Sequence, residues 1–177
     1  MVHHHAGKSS AAFFAADDIL HPLGLSSDMV LLDAGCGDGR IAMDAASKVR
    51  KVFAFDIHNE SIAAAKAIAP SNVDARVVDL KSIPLNDCGV DVCVLVNVLH
   101  GLVANDEHAA IAEISRVIKD NGTLAVVEFK TDSHFGPPKD IRLSAKDIVD
   151  TFVGFEESQR KMMEHHFMLV LKKGITA

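Results

Sequence analysis

The chain has 177 residues, of which 49% are apolar and 24% charged, and it carries a net charge of −6. That length suits a short flexible tail over residues 1–8 and one domain with a sizeable core over residues 9–177. The acidic balance argues against a broad nucleic-acid footprint, no apolar run reaches the ~20 residues of a membrane span, and no signal peptide is evident, so a cytoplasmic protein is expected.

Cys36, Cys88 and Cys93 are odd in number and lack a Cys-x-x-Cys spacing. They point to a reducing compartment, with no disulfide framework and no metal site. His3, His4 and His5 are left out of metal reasoning because a tail explains them. Cys36 lies between two glycines, where a small side chain suffices.

From the N-terminus, Ser10 to Leu20 reads as a helix capped by Ser9 or Ser10 and stopped by Pro22. Phe13, Ala16, Ile19 and Leu20 share a face, and at least one of Phe13 and Phe14 is expected to pack on a sheet. Gly24 to Asp28 turns the chain. Val30, Leu31 and Leu32 then form an apolar run without alternation, which suits a strand covered on both faces.

Gly35, Gly37 and Gly39 follow at a spacing of two, so the backbone there turns sharply and a ligand can lie against it. The next segment, Arg40 to Ser47, is helical in pattern, and its first N–H groups favour negative charge. A phosphate-binding loop is excluded because Gly39 is followed by Arg40 and Ile41 instead of Lys and Ser or Thr. A dinucleotide fingerprint counted from Gly35 wants a sixth-position glycine where Arg40 stands.

Lys48, Arg50 and Lys51 read as a solvated helix end. Val52 to Phe55 is a second strand, ended by Asp56 roughly twenty residues after Gly35. An open α/β sheet places there the carboxylate that accepts from a ribose diol. Asn59 is read as the N-cap of a helix over Glu60 to Ile68, which would leave Asp56 free for a ligand. Asp74 to Val78 is a third strand, followed by Asp79 and Leu80. Val90 to Val96 is a fourth, ending in Asn97-Val98-Leu99-His100. Histidine changes protonation near neutral pH, so His100 at a strand end is the candidate base.

Asp106 to Ile118 is an amphipathic helix with Asn105 as its cap, presenting Ala110, Ile111, Ile114, Val117 and Ile118 on one face. Asn121-Gly122 turns into a fifth strand, Thr123 to Phe129, which ends near Glu128. Lys130 to Arg142 is a loop containing Gly136-Pro137-Pro138, and His134, Phe135 and Arg142 are expected to face a substrate. Ser144-Ala145-Lys146-Asp147 opens a helix running to Phe152, with Gly154 beyond its end. Phe155 to Lys161 and His166 to Lys172 are final strands joined by a short turn, hence antiparallel. The alternation of strand and helix predicts an α/β fold: a doubly wound, mostly parallel seven-stranded sheet closed by a C-terminal antiparallel hairpin.

Asp33-Ala34-Gly35-Cys36-Gly37-Asp38-Gly39, after three apolar residues, resembles motif I of the class I S-adenosylmethionine-dependent methyltransferases. The terminal hairpin is characteristic of the same family and foreign to dinucleotide dehydrogenases. Asn97-Val98-Leu99-His100, and Gly136-Pro137-Pro138 with Arg142-Leu143-Ser144, look most like the small prokaryotic type 11 proteins akin to ubiquinone/menaquinone methyltransferases.

The resemblance implies a Rossmann-like methyltransferase fold, S-adenosylmethionine as cofactor and S-adenosylhomocysteine as product. Gly35, Cys36, Gly37 and Gly39 would hold the methionine part, with Asp33 supporting the loop or the amino group. Asp56 would hold the ribose, while Asp79, Leu80 and Ile57 would hold adenine. Asn97 and His100 would lie beside the transferred methyl, and the segment before the first strand would cover the cofactor. Asn97 does not begin the Asn/Asp-Pro-Pro-Tyr form used on nucleic-acid bases and glutamine amides, so a small-molecule acceptor is expected. The competing readings are a non-catalytic S-adenosylmethionine-binding regulatory protein and, less favoured, an NAD-dependent oxidoreductase.

Overall fold

A computed structural model of the protein describes residues 13–175. Seven strands form one sheet in the order β3-β2-β1-β4-β5-β7-β6. They are β1 (Val30–Ala34), β2 (Lys51–Asp56), β3 (Val73–Val77), β4 (Val90–Val96), β5 (Ile118–Phe129), β6 (Phe155–Met162) and β7 (His166–Lys173). The first five pair in parallel, while β7 runs antiparallel to both β5 and β6. The predicted hairpin and doubly wound sheet are therefore present, with the hairpin on one edge.

The strands closest to the centre are buried along their whole length, as their apolar runs require: every residue of β1 is buried, and β4 nearly matches it. Helices cover both faces. On one side lie α4 (Leu99–Ala104), α5 (His108–Val117) and α6 (Ala145–Thr151), where Leu32, Leu95, Ile114, Ile118, Leu124 and Phe152 share a core. On the other, α1 (Ala16–Leu20) and α2 (Arg40–Ala45) pack on Leu31, Val52, Val94 and Val127. The helix α3 (Asn59–Ile68) connects β2 to β3. Beside β1, β2 and β4 run in opposite directions of the strand order, so the switch point of the sheet lies at the carboxyl end of β1 and β4. The outer strand β6 is protected from edge pairing by exposed Glu156, Glu157 and Arg160. No helix among the described residues is long and apolar enough to cross a membrane.

Several local readings need correction. The first helix begins at Ala16, not Ser10; the proposed caps Ser9 and Ser10, and the tail over residues 1–8, lie outside the described residues. Pro22 stops it as expected, inside a 3-10 turn over His21–Leu23. Asn59 is the first residue of α3, not its cap: His58 occupies the cap position without a side-chain capping bond to the helix. Asn105 does not cap α5; it ends α4, an element with no clear sequence signal, and its Nδ2 donates to the Gly101 carbonyl at 2.7 Å. Asn121-Gly122 bends a strand that continues through it, with Asn121 at φ 60° and a register shift against β4. The Ser144 cap is as predicted: its hydroxyl accepts from the Asp147 N–H, and Asp147 accepts in return from the Ser144 N–H.

Candidate functional site

The glycine loop leaves β1 and hooks over β2. Gly35 N–H and Cys36 N–H both donate to the Phe55 carbonyl, at 2.7 and 3.0 Å. Gly35 has φ 75°, and a Cβ there would sit 2.4 Å from Val98 Cγ2, so neither the backbone angle nor the space admits a side chain. At Gly37, φ 54°, a Cβ would meet nothing within 4 Å, so the backbone lies open on that side.

Asp33 lies beneath the loop, 2% exposed, and accepts from the Ala42 N–H of α2 at 3.1 Å. Burial, reinforced by the charges of Asp56 and Asp38, pushes its carboxyl up to about 7 against the pull of the Ala42 N–H. Burial next to Asp33 and Asp56 also pushes the Cys36 thiol up, which rules it out as a thiolate nucleophile at neutral pH.

Asp56 ends β2 and is mostly buried. The expectation that it is free is overturned. Its Oδ2 accepts from the Gly37 N–H at 2.8 Å, and its Oδ1 accepts from the His58 N–H and faces His58 Nδ1, both at 2.9 Å. A carboxylate at a strand end takes the first N–H groups that the turning chain presents, and the spacing of residues hid this. The His58 ring is 71% exposed, so it can leave Oδ1 at little cost.

Asn97 leaves β4 at φ 58°, its N–H donating to the Val127 carbonyl, and its side-chain Oδ1 is buried with no hydrogen-bond partner. An orphaned buried acceptor is costly, and a ligand N–H would satisfy it. This atom, the open face of Gly37 and the exposed Ile57 beside Asp56 fit a ligand that combines a cationic amine, a diol and a flat apolar ring.

The remaining candidates divide. Leu80 is buried in the core cluster that contains Phe55, Val78 and Ile83. Its side chain keeps little surface for a ring. Asp79 is half-exposed, accepts from the Lys81 N–H at 2.9 Å and pairs with Lys81 Nζ. His100 is not at a strand end but in the first turn of α4, where Glu128 Oε1 accepts from its backbone N–H at 3.1 Å and Oε2 lies 2.8 Å from its Nδ1. Glu128 is 1% exposed, and nothing in the sequence pairs a β5 carboxylate with a residue after β4.

Arg142 is engaged within its own loop. Its guanidinium donates to the carbonyls of Pro137, Lys130, Thr131 and Ser133 and so holds the loop after β5 in shape. His134 is exposed and Phe135 half-exposed, the latter ring resting on Phe13 and His165. Phe13 also meets Phe129 edge-on, and Phe14 packs on His166, so both rings pack at this end of the sheet. Arg40 stacks over Phe14, 5.3 Å from its centroid, which ties this N-terminal segment to the helix of the glycine loop. A cleft of about 460 Å³ between α4, α6 and Asp140 to Leu143 is lined by none of the cofactor candidates.

Residues 32–126 match the model of a family described as a methyltransferase domain. The chain is 31% identical over 148 residues to ribosomal RNA-processing protein 8 of Arabidopsis thaliana, covering 80% of this chain and 45% of that protein. It is 32% identical over 114 residues to a probable S-adenosylmethionine-dependent methyltransferase of Mycolicibacterium smegmatis, covering 64% of this chain and 43% of the relative. It therefore spans less than half the length of either curated protein. Among solved structures, a SAM-dependent methyltransferase from Aquifex aeolicus superposes with a TM-score of 0.81 at 23% identity, over 94% of this chain and 93% of the other.

Proposed function

The chain belongs to the methyltransferase-domain family, and on that footing we propose that it transfers a methyl group from S-adenosylmethionine to a small-molecule acceptor. The observation that carries this reading is the convergence of Gly37, Asp56 and the unpartnered Asn97 Oδ1 at the carboxyl ends of β1, β2 and β4. In an open α/β sheet, that crevice is where the ligand lies.

The bound cofactor supplies a methyl group on a cationic sulfur. The residues here bind and orient it. Asp56 takes the ribose hydroxyls, Oδ1 becoming available as the His58 ring moves aside. Asn97 Oδ1 and Asp33 face the amino group. Gly35, Cys36, Gly37 and Gly39 line the methionine part. Ile57 offers an apolar face to adenine, with Asp79 at its far side. Because an in-line displacement disperses the sulfur's charge, alignment in a dry site supplies most of the rate. His100 takes a proton from the acceptor where the acceptor arrives carrying one.

The name of the Arabidopsis relative raises RNA as an acceptor. The net charge of −6 supports a small molecule instead.

Thermal unfolding with S-adenosylmethionine, S-adenosylhomocysteine and NAD in parallel tests the reading. A ligand at about a hundred times its dissociation constant adds roughly 2.7 kcal/mol, a shift of several degrees. The first two ligands should raise the midpoint and NAD should not. A shift with NAD alone would overturn the assignment.

A further inference from the structure

His166 opens β7 with an imidazole that is 0% exposed and whose two ring nitrogens have no hydrogen-bond partner. Carbon rings enclose it. Phe129 stacks on it with centroids 3.8 Å apart, Phe14 meets it edge-on at 5.0 Å, and Phe13 lies at 5.3 Å. A phenyl ring offers no lone pair. The cage therefore suits a neutral imidazole and rejects an imidazolium, which needs acceptors for two N–H groups. Cation–π attraction to the ring faces offsets only part of that loss.

One side of the cage can yield. Phe129 and His166 are opposed in the β5–β7 ladder, the His166 carbonyl accepts from the Met163 N–H at 2.9 Å, and Gly136 lies so close that a Cβ there would be 2.5 Å from the Phe129 ring. Phe13 and Phe14, by contrast, have no backbone hydrogen bond to another of the described residues. Behind them α1 is fixed by buried Ile19 and Leu20, and by Lys161 Nζ donating to Asp18 Oδ1 at 2.9 Å. The two rings can thus leave while the helix stays.

We propose that Phe13 and Phe14 form an acid-released latch: they close over neutral His166 and swing out when its ring takes up a proton. The charges around the cage favour release. His165, next to it on β7 and 5.8 Å from the Phe13 ring, adds like charge when protonated, and Arg40 of α2 lies over the Phe14 ring. The carboxylates are engaged elsewhere: Glu128 of β5 with His100, Asp18 with Lys161, Asp17 with Lys48, and exposed Glu164 with His165. None of them bonds to the His166 ring. Burial holds that ring neutral, its pKa lowered from 6.5 to about 4. The closed contact is therefore complete above pH 6.5 and is lost as pH falls towards 4. Release also frees Arg40, the residue that follows Gly39, from its ring, so the latch reaches the glycine loop.

The chain has no Trp, so Phe13→Trp installs a single fluorescent reporter on the latch. Its quenching by acrylamide should rise as pH falls, with a midpoint between 4 and 6.5, while the circular dichroism of the sheet stays constant. Adding His166→Leu should abolish the rise. A second measurement leaves Phe13 in place: the His166 ring is titrated by nuclear magnetic resonance in the wild type, its signal assigned through His166→Leu. In Phe13→Ala/Phe14→Ala, water reaches the ring, and its pKa should climb towards 6.5. Constant quenching down to pH 4, a rise that survives His166→Leu, or a His166 titration unmoved by the double substitution would overturn the proposal. None of these readouts depends on cofactor binding, so a failure of the thermal-shift experiment and a failure here are separately visible.

Discussion

The Gly37 N–H donates to Asp56 Oδ2 at 2.8 Å, so one carboxylate joins the glycine loop after β1 to the end of β2. The residue assigned to the ribose thus also shapes the loop assigned to the methionine part. Asp56→Ala should therefore weaken S-adenosylmethionine binding by roughly ten- to a hundredfold, since charged hydrogen bonds are worth about 1.5–3 kcal/mol. Calorimetric titration measures it, and an unchanged affinity would remove the ribose assignment.

The ring of His58 occupies Asp56 Oδ1 from an exposed position. If the ribose needs that oxygen, His58→Ala should strengthen binding by up to about fivefold, the equivalent of an exposed pair worth no more than ~1 kcal/mol. Weaker binding in the same titration would show instead that His58 itself touches the ligand.

Gly35→Ala places a Cβ 2.4 Å from Val98 Cγ2 at a φ of 75°. Steric overlap and left-handed strain together should cost roughly 2–4 kcal/mol. Adding Val98→Ala should recover the steric part alone, because the backbone strain is untouched. Denaturant unfolding of the single and double variants separates the two contributions.

Asp33 is held protonated up to about pH 7, against an ordinary value of 3.8, chiefly by burial. The native state therefore keeps a proton that the unfolded chain has lost, and Asp33 lowers stability as pH rises through this range. A cationic ligand favours the ionised form, so its binding should release a proton and tighten between about pH 6 and 8. Titrations in buffers of different ionisation heat read the released proton directly. Asp33→Asn should abolish the release.

His166 is fully buried among Phe13, Phe14 and Phe129, with neither ring nitrogen hydrogen-bonded, and burial lowers its pKa from 6.5 to about 4. Between these values the unfolded chain binds a proton that the native state refuses, so its contribution is complete above pH 6.5 and declines as pH falls towards 4. His166→Leu should remove that slope and, by relieving two unpaired polar atoms, stabilise the protein by roughly 1–3 kcal/mol. Asp33 acts with the opposite sign over nearly the same window. The informative quantity is therefore the difference in unfolding midpoint between the variant and the wild type at each pH.

Local chemistry determined much of this protein in advance. The apolar run Val30 to Leu32, the glycines at 35, 37 and 39 and the short connection between β6 and β7 each act within a few residues. Burial on both faces, a sharp turn and antiparallel pairing followed from them without knowledge of the rest of the chain. The doubly wound sheet followed from the alternation of strands and helices.

What only the tertiary structure decided is which groups satisfy one another across long separations. Asp56 is engaged by Gly37 and His58, Arg142 is spent on four loop carbonyls, and Glu128 reaches His100 across the β4–β5 ladder. The short helix α4 is anchored by that same carboxylate, which accepts the backbone N–H of its second residue, so no local capping signal foretold it. Hydrogen-bond partners are chosen by proximity once the strands have paired, and proximity between residues far apart in the chain is not written in their spacing.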